Sequence, residues 1–258
     1  MISSSVTDRL RHADLVAIAN GKLTALVVRS FIEEQLAREV GRKLLSGGYQ
    51  HYINAPSIGR IGMAFYETER WASLIKKYFD SAMDHIDKLR LSCLPYASPI
   101  DILRCRLDEV WPAGASLERL YGRTMFVGLS RVVEPDVCFM AHHDFFQKDA
   151  PDSFRALSLV SQLACNIYLN MPHVGGELHI WDEDIAPDVF DDMRGENYGI
   201  EPQRLGDTNL LIKPDVGDLV IFDSRKMHSV APSKDTSRVS LSCFIGYRGE
   251  HAPLSYWS

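Results

Sequence analysis

Residues 137–144 read Val-Cys-Phe-Met-Ala-His-His-Asp, VCFMAHHD. In an extended strand successive side chains point to opposite faces, so Val137, Phe139, Ala141 and His143 share one side and Cys138, Met140, His142 and Asp144 the other. A strand here delivers an imidazole and a carboxylate side by side at its end. Short β-rich runs of the same kind fill the second half of the chain: 124–129, 165–170, 177–181, 210–213, 218–222 and 238–247. Turn signals separate them, namely Pro172 with Gly175-Gly176, Pro214 with Gly217, and the stretch from Pro232 to Ser237. Many short strands without intervening helices argue a β-sandwich or a jelly-roll barrel.

Upstream the texture is helical around one early strand, 23–28. Ser30 and Glu33 make a capping box that predicts a helix over 31–45, with Phe31, Leu36, Val40 and Leu44 near a 3.6 period. A second helix is expected over 68–91. A third is announced by Ser98 as N-cap, Pro99 at the first helical position and Asp101 in the first turn. The resulting fold class is mainly β with N-terminal helices: residues 1–120 form a largely helical support layer and 121–250 the β core, within one domain spanning 1–258.

Composition narrows the function. The chain has 258 residues, 46% hydrophobic and 24% charged, with a net charge of −6. That is an ordinary globular balance, with no basic stripe for a phosphate backbone. No apolar run approaches the roughly 18 residues that span a bilayer, and MISSSVTDRLRH lacks the apolar centre of a secretory signal. Five cysteines without a CxxC pair read as buried free thiols, which places the protein in a reducing cytoplasm. A small molecule is the expected partner, without nucleic acid or membrane; a homodimer stays open. One long segment, 182–207, holds nine carboxylates against two arginines and has no strong periodicity, which suits a lid or a disordered loop.

Three places on the β half belong together. His142-x-Asp144 ends one strand; His228 lies 84 residues beyond Asp144; Arg238-x-Ser240 begins ten residues after His228. Two histidines and a carboxylate form the facial triad that holds non-haem Fe(II) and leaves positions open for co-substrate and oxygen. An arginine on a neighbouring inward face binds a distal carboxylate bidentately.

His142-x-Asp144, His228 and Arg238-x-Ser240 resemble the Fe(II)/2-oxoglutarate-dependent oxygenases, whose fold is a double-stranded β-helix, a jelly-roll or cupin-like barrel. The run Asn166-Ile-Tyr-Leu-Asn170 followed by Gly175-Gly-Glu-Leu178 is similar to their prolyl-4-hydroxylase-like branch. GGELHIWD (175–182) and VGDLVIFDSRKMHSV (216–230) resemble bacterial oxygenases and radical halogenases that act on free amino acids and alkaloids. The resemblance covers about 124–247. It implies His142, Asp144 and His228 as Fe(II) ligands, Arg238 with Ser240 on the distal carboxylate of 2-oxoglutarate, and Asn166 and Tyr168 as further hydrogen-bonding partners. Radical halogenases of this branch carry Gly or Ala where Asp144 stands, so the resemblance implies hydroxylation of an unactivated C–H bond, with O2 as co-substrate.

The expected substrate is a small amine-bearing molecule, a free amino acid or a derivative in a biosynthetic pathway. Glu67 is the candidate carboxylate for the amine, with Arg60 and His143 as further substrate-side candidates. Three alternatives stand beside hydroxylation: cyclisation, desaturation or action on another natural-product scaffold by the same cofactors, a cupin-like metal dioxygenase without 2-oxoglutarate, and a non-catalytic jelly-roll binding module.

Overall fold

The runs Ser161–Asn170 and Arg238–Tyr247 contain a single charged residue between them, and almost all of their side chains are buried. In the computed structural model, which describes residues 3–258, they are the paired centre of the larger of two main sheets. Antiparallel register runs from Ser161 opposite Tyr247 to Tyr168 opposite Ser240, then shifts at a bulge before Asn170. Outward on one side lie Leu219–Asp223, Ala25–Val28 and Ser4–Thr7; on the other lie Leu129–Val133, Gly59–Ile61 and Gln50–His51. The smaller sheet runs Leu210–Ile212, Leu178–Ile180, His228–Val230, Phe139–His142, antiparallel throughout. From Leu129 onward the chain passes between the two sheets repeatedly, the strand order of a jelly roll.

The helices back the larger sheet. Glu34–Ser46 lays Ala37, Val40, Gly41 and Leu44 against Ser161–Asn170. A Cβ on Gly41 would sit 3.1 Å from the Leu169 side chain and 3.2 Å from its carbonyl oxygen. The glycine costs about 1 kcal/mol of helix propensity and permits that approach. The expected capping box does not form. Ser30 is left-handed (φ 47°), its amide donates to the buried Asp218 carboxylate at 3.0 Å, and the helix starts only at Glu34. Arg29 donates to the same carboxylate, so a buried anion fixes this corner. The second helix is Ala72–Cys93, four residues late, because Glu69 and Arg70 hold φ of 44° and 63°. Pro99–Val110 is as expected, with Ser98 Oγ accepting from the Asp101 amide at 3.1 Å.

Three further expectations need correction. The strand expected over 124–129 is displaced to Leu129–Val133. Cys93, Cys165 and Cys243 are buried free thiols, but Cys138 is half-buried and Cys105 exposed. Segment 182–207 is ordered rather than a disordered loop. It contains the helix Pro187–Arg194 and a short turn Pro202–Leu205, and its Ile185, Phe190 and Ile200 pack with Ala141, Trp181 and Met227 in an apolar cluster of their own. Backbone bonds of 2.8 Å in both directions join Ala141 to Ile200, so the segment adds itself to the edge of the smaller sheet. Among the described residues no helix is long and apolar enough to cross a membrane.

One buried charge ties the far end together. Glu118 accepts from Arg248 Nη2 at 2.7 Å, Arg155 Nε at 2.8 Å and Ser255 Oγ at 2.6 Å. Burial alone would raise its carboxyl; the Ser255 hydroxyl and the two guanidiniums outweigh burial and hold it below the ordinary value of 4.5. A carboxyl lowered in the folded state gives its full stabilisation above its unfolded value and loses it as pH falls through the folded one. Glu118→Gln is therefore expected to cost about 3 kcal/mol at pH 7, roughly 6–12 °C in Tm, and to flatten the acid limb of the stability curve. Thermal melts from pH 7 to 3 test this, and an unchanged acid limb would refute it.

Candidate active site

Antiparallel pairing places His228, first residue of its strand, directly opposite His142, last residue of its own. Their rings lie 4.2 Å apart between centroids. Asp144, two residues past the strand end, is held by its amide on Ser224 O at 2.9 Å, and its Oδ2 comes within 3.6 Å of His228 Nε2. One ligand atom from each of the three residues lies within 4.8 Å of the others. Each Nδ1 sits 2.9 Å from a backbone carbonyl, that of Met140 for His142 and that of Lys226 for His228. Those carbonyls can only accept, so Nδ1 carries the proton and the Nε2 lone pair is free to bind a metal. Burial lowers the pKa of both imidazoles and raises that of the Asp144 carboxyl. Asp144 Oδ2 is buried without any hydrogen-bond partner. A bare carboxylate oxygen beside two oriented neutral imidazoles is a donor set that fits a divalent iron.

Behind the triad a second set of polar groups shares the inner face of the larger sheet. Buried Arg238 stacks over the Tyr168 ring at 5.0 Å and donates to the Tyr168 hydroxyl at 3.0 Å, while its Nε has no partner. Ser240 lies opposite Tyr168, and Asn166 Oδ1 accepts from Ser242 Oγ at 2.7 Å. A second buried arginine was not legible in the sequence. Arg131 lies opposite Ser240 on Leu129–Val133, donates from Nε to the Tyr52 hydroxyl at 3.3 Å, and its charge acts on Asp144. The signal was an arginine inside LSRVV, which the displaced strand boundary left in an expected loop.

A cavity of about 660 Å³ opens over the triad. Its walls include Tyr52, Tyr66 and Asp149, and segment 182–207 contributes Phe190, Asp191 and Tyr198. Tyr198 accepts from the Met140 amide at 2.9 Å, next to the carbonyl that orients His142. His143 also lines the cavity, although strand alternation sets it on the opposite face; the strand ends at His142, so alternation no longer governs it. Its ring packs between Phe145 and Phe190, and burial lowers its pKa to about 4. Arg60 and Glu67 stay out of the cavity. Glu67 is fully buried, accepts from Arg60 Nε at 2.7 Å and from the Ala64 amide at 2.8 Å, and so closes its own turn instead of meeting an amine. Three of the nine carboxylates of 182–207 are held in ion pairs: Asp191 pairs with Lys148 and Arg194, and Asp182 and Asp184 with Lys226.

The model of the family described as the carrier-protein-independent halogenase WelO5 matches residues 2–258. The chain belongs to that family. It is an Fe(II)/2-oxoglutarate-dependent oxygenase. It is 27% identical over 211 residues to the leucinostatins biosynthesis cluster protein S of Purpureocillium lilacinum, covering 77% of this chain and 83% of that one. It is 29% identical over 126 residues to the L-isoleucine 3(1)-dioxygenase of Pantoea ananatis, covering 46% of this chain and 42% of the relative. Among solved structures, the N-substituted L-amino acid dioxygenase of Burkholderia ambifaria superposes with a TM-score of 0.62 at 16% identity, covering 95% of this chain and 91% of that one. At that identity the likeness speaks for the fold.

Proposed function

We propose that the protein hydroxylates a C–H bond of a small amine-bearing molecule, a free amino acid or a close derivative, within a biosynthetic pathway. The observation that carries this reading is Asp144: in a family named for halogenation, a carboxylate completes the triad and presents its bare oxygen to His142 and His228. His142 Nε2, His228 Nε2 and Asp144 would hold the iron. Arg238, with Tyr168 and Ser240 beside it and Asn166 further along the strand, would bind the distal carboxylate of 2-oxoglutarate; Arg131, nearer Asp144, would offset negative charge at the metal end. When bound, the iron and 2-oxoglutarate supply the oxidising power from O2, with succinate and carbon dioxide as by-products.

The protein's own work is placement. Carbonyls of Met140 and Lys226 fix the two imidazoles, Phe190 and the tyrosines exclude water, and the cavity walls aim the substrate. The alternation of strands between the sheets supports closure into a double-stranded β-helix, with the whole chain acting as one oxygenase domain. Relatives named for oxidation of amino acids support the substrate class. The test is succinate release from Fe(II)-loaded protein across a panel of amino acids and amines, with product mass gaining one oxygen. Stimulated succinate release without a hydroxylated product would refute hydroxylation.

Halogenation is the second reading, because the family carries that name. Asp144 argues against it, since the carboxylate fills the position a halide would need. Asp144→Gly is expected to lose hydroxylation by more than about a hundredfold and to bind chloride at the metal, read as a chloride-dependent change in the absorption of the Fe(II)–2-oxoglutarate complex. Chlorinated product from the unaltered protein would favour the second reading instead.

A further inference from the structure

Three of the charged groups around the cavity, Lys148, Asp191 and Arg194, are already paired with one another. Lys148 Nζ lies 2.7 Å from both oxygens of Asp191, and Arg194 donates from Nε to Asp191 at 2.8 Å and from Nη1 to Asn197 O at 2.6 Å. Asp144 belongs to the triad. Two carboxylates left over, Glu69 and Glu196, are exposed, and water satisfies them. Asp149 differs: it lines the cavity, is half-buried, and takes no hydrogen bond or ion pair from any described residue. Burial foremost, then the charge of Asp144, pushes its carboxyl up to about 8. A carboxylate withdrawn from water without a partner is costly, and a cationic ligand would remove that cost.

Arg70, exposed at the cavity rim like Glu69, is the cation that faces Asp149 across the same cavity. It is the one cation lining the cavity without a hydrogen bond or ion pair among the described residues. Its field reaches Asp149 and lowers that carboxyl, yet the two form no ion pair. Glu69 and Arg70 are consecutive non-glycine residues at φ 44° and 63°, a conformation that costs about 1–2 kcal/mol per residue. The turn is locked by the Glu69 amide on Tyr66 O at 3.3 Å and the Trp71 amide on Thr68 O at 2.8 Å.

We infer that Asp149 and Arg70 are the charged pair that recognises a zwitterionic α-amino acid, Asp149 taking its ammonium and Arg70 its carboxylate. This rests on the amino-acid reading above and assigns the residues that would read the two charges. It replaces Glu67, which is consumed by Arg60.

Full-length protein loaded anaerobically with Fe(II) and 2-oxoglutarate is titrated with the twenty proteinogenic amino acids, and Kd is measured by calorimetry. The best binder is then compared with its N-acetyl form and its amide. Unaltered protein should bind the zwitterion at least twentyfold tighter than either derivative. Asp149→Asn should weaken the free amino acid about twentyfold and erase the preference over the N-acetyl form; Arg70→Gln should do the same for the amide. Because each variant must gain indifference to one derivative while keeping discrimination against the other, a merely misfolded variant would not mimic the result. Binding of no amino acid, a shift of less than threefold in both variants, or a shift in only one overturns the pair. Succinate released by the unaltered protein without any amino acid reports the oxygenase reading separately. If it persists while the amino acids fail to bind, the oxygenase stands and the pair falls.

Discussion

Neither His142→Ala nor His228→Ala protein should retain Fe(II) through gel filtration after anaerobic loading, and both should lose 2-oxoglutarate turnover by well over a hundredfold. Loss of an outer partner of a metal ligand typically costs 10–100-fold; loss of a ligand itself removes a third of the site. The geometry leaves no substitute. His143 is the adjacent imidazole, but its ring is packed between Phe145 and Phe190. The two imidazoles are also not independent, since their strands are paired at those two residues. Metal analysis of the desalted proteins gives the first readout and succinate release the second. A tenth of the unaltered turnover in either variant would sink the assignment.

Arg238→Ala should raise the Michaelis constant for 2-oxoglutarate by about 10²–10⁴-fold, because a buried carboxylate that loses its cation typically costs about 3–5 kcal/mol. The constant for substrate should move far less. Arg238 is itself buried, its Nε is unpartnered, and Tyr168 holds the guanidinium from face and edge. Tyr168→Phe keeps the ring and removes one hydrogen bond, so its effect should be near tenfold or below. Equal increases in both Michaelis constants for Arg238→Ala would show that the arginine supports the fold rather than the co-substrate.

The triad was legible because its chemistry coincides with strand periodicity: His142 and Asp144 sit two apart, and their residue types are rare inside a strand. The same holds for Arg238 and Ser240, which occupy an inner face of a run whose bounds, Arg238–Tyr247, were expected and found. Arg131 was missed because Leu129–Val133 starts where the expected strand stops. Nothing local in the sequence marks that boundary; it is set by pairing with Arg238–Tyr247, a contact over a hundred residues away. Ser30 failed as a cap for a related reason. Asp218, distant in sequence, claims its amide. The role of Glu67 was likewise hidden by its type, and its burial and its pairing with Arg60 reveal it.

Ala141 connects two parts of the molecule that a casual description would keep apart. On one flank its strand carries His142 and pairs with His228; on the other, Ala141 is stitched to Ile200 of the segment that roofs the cavity. Floor and ceiling of the reaction chamber are therefore built on one shared ribbon. The placement of His142 and that of segment 182–207 are thus set together, through the backbone of a single residue.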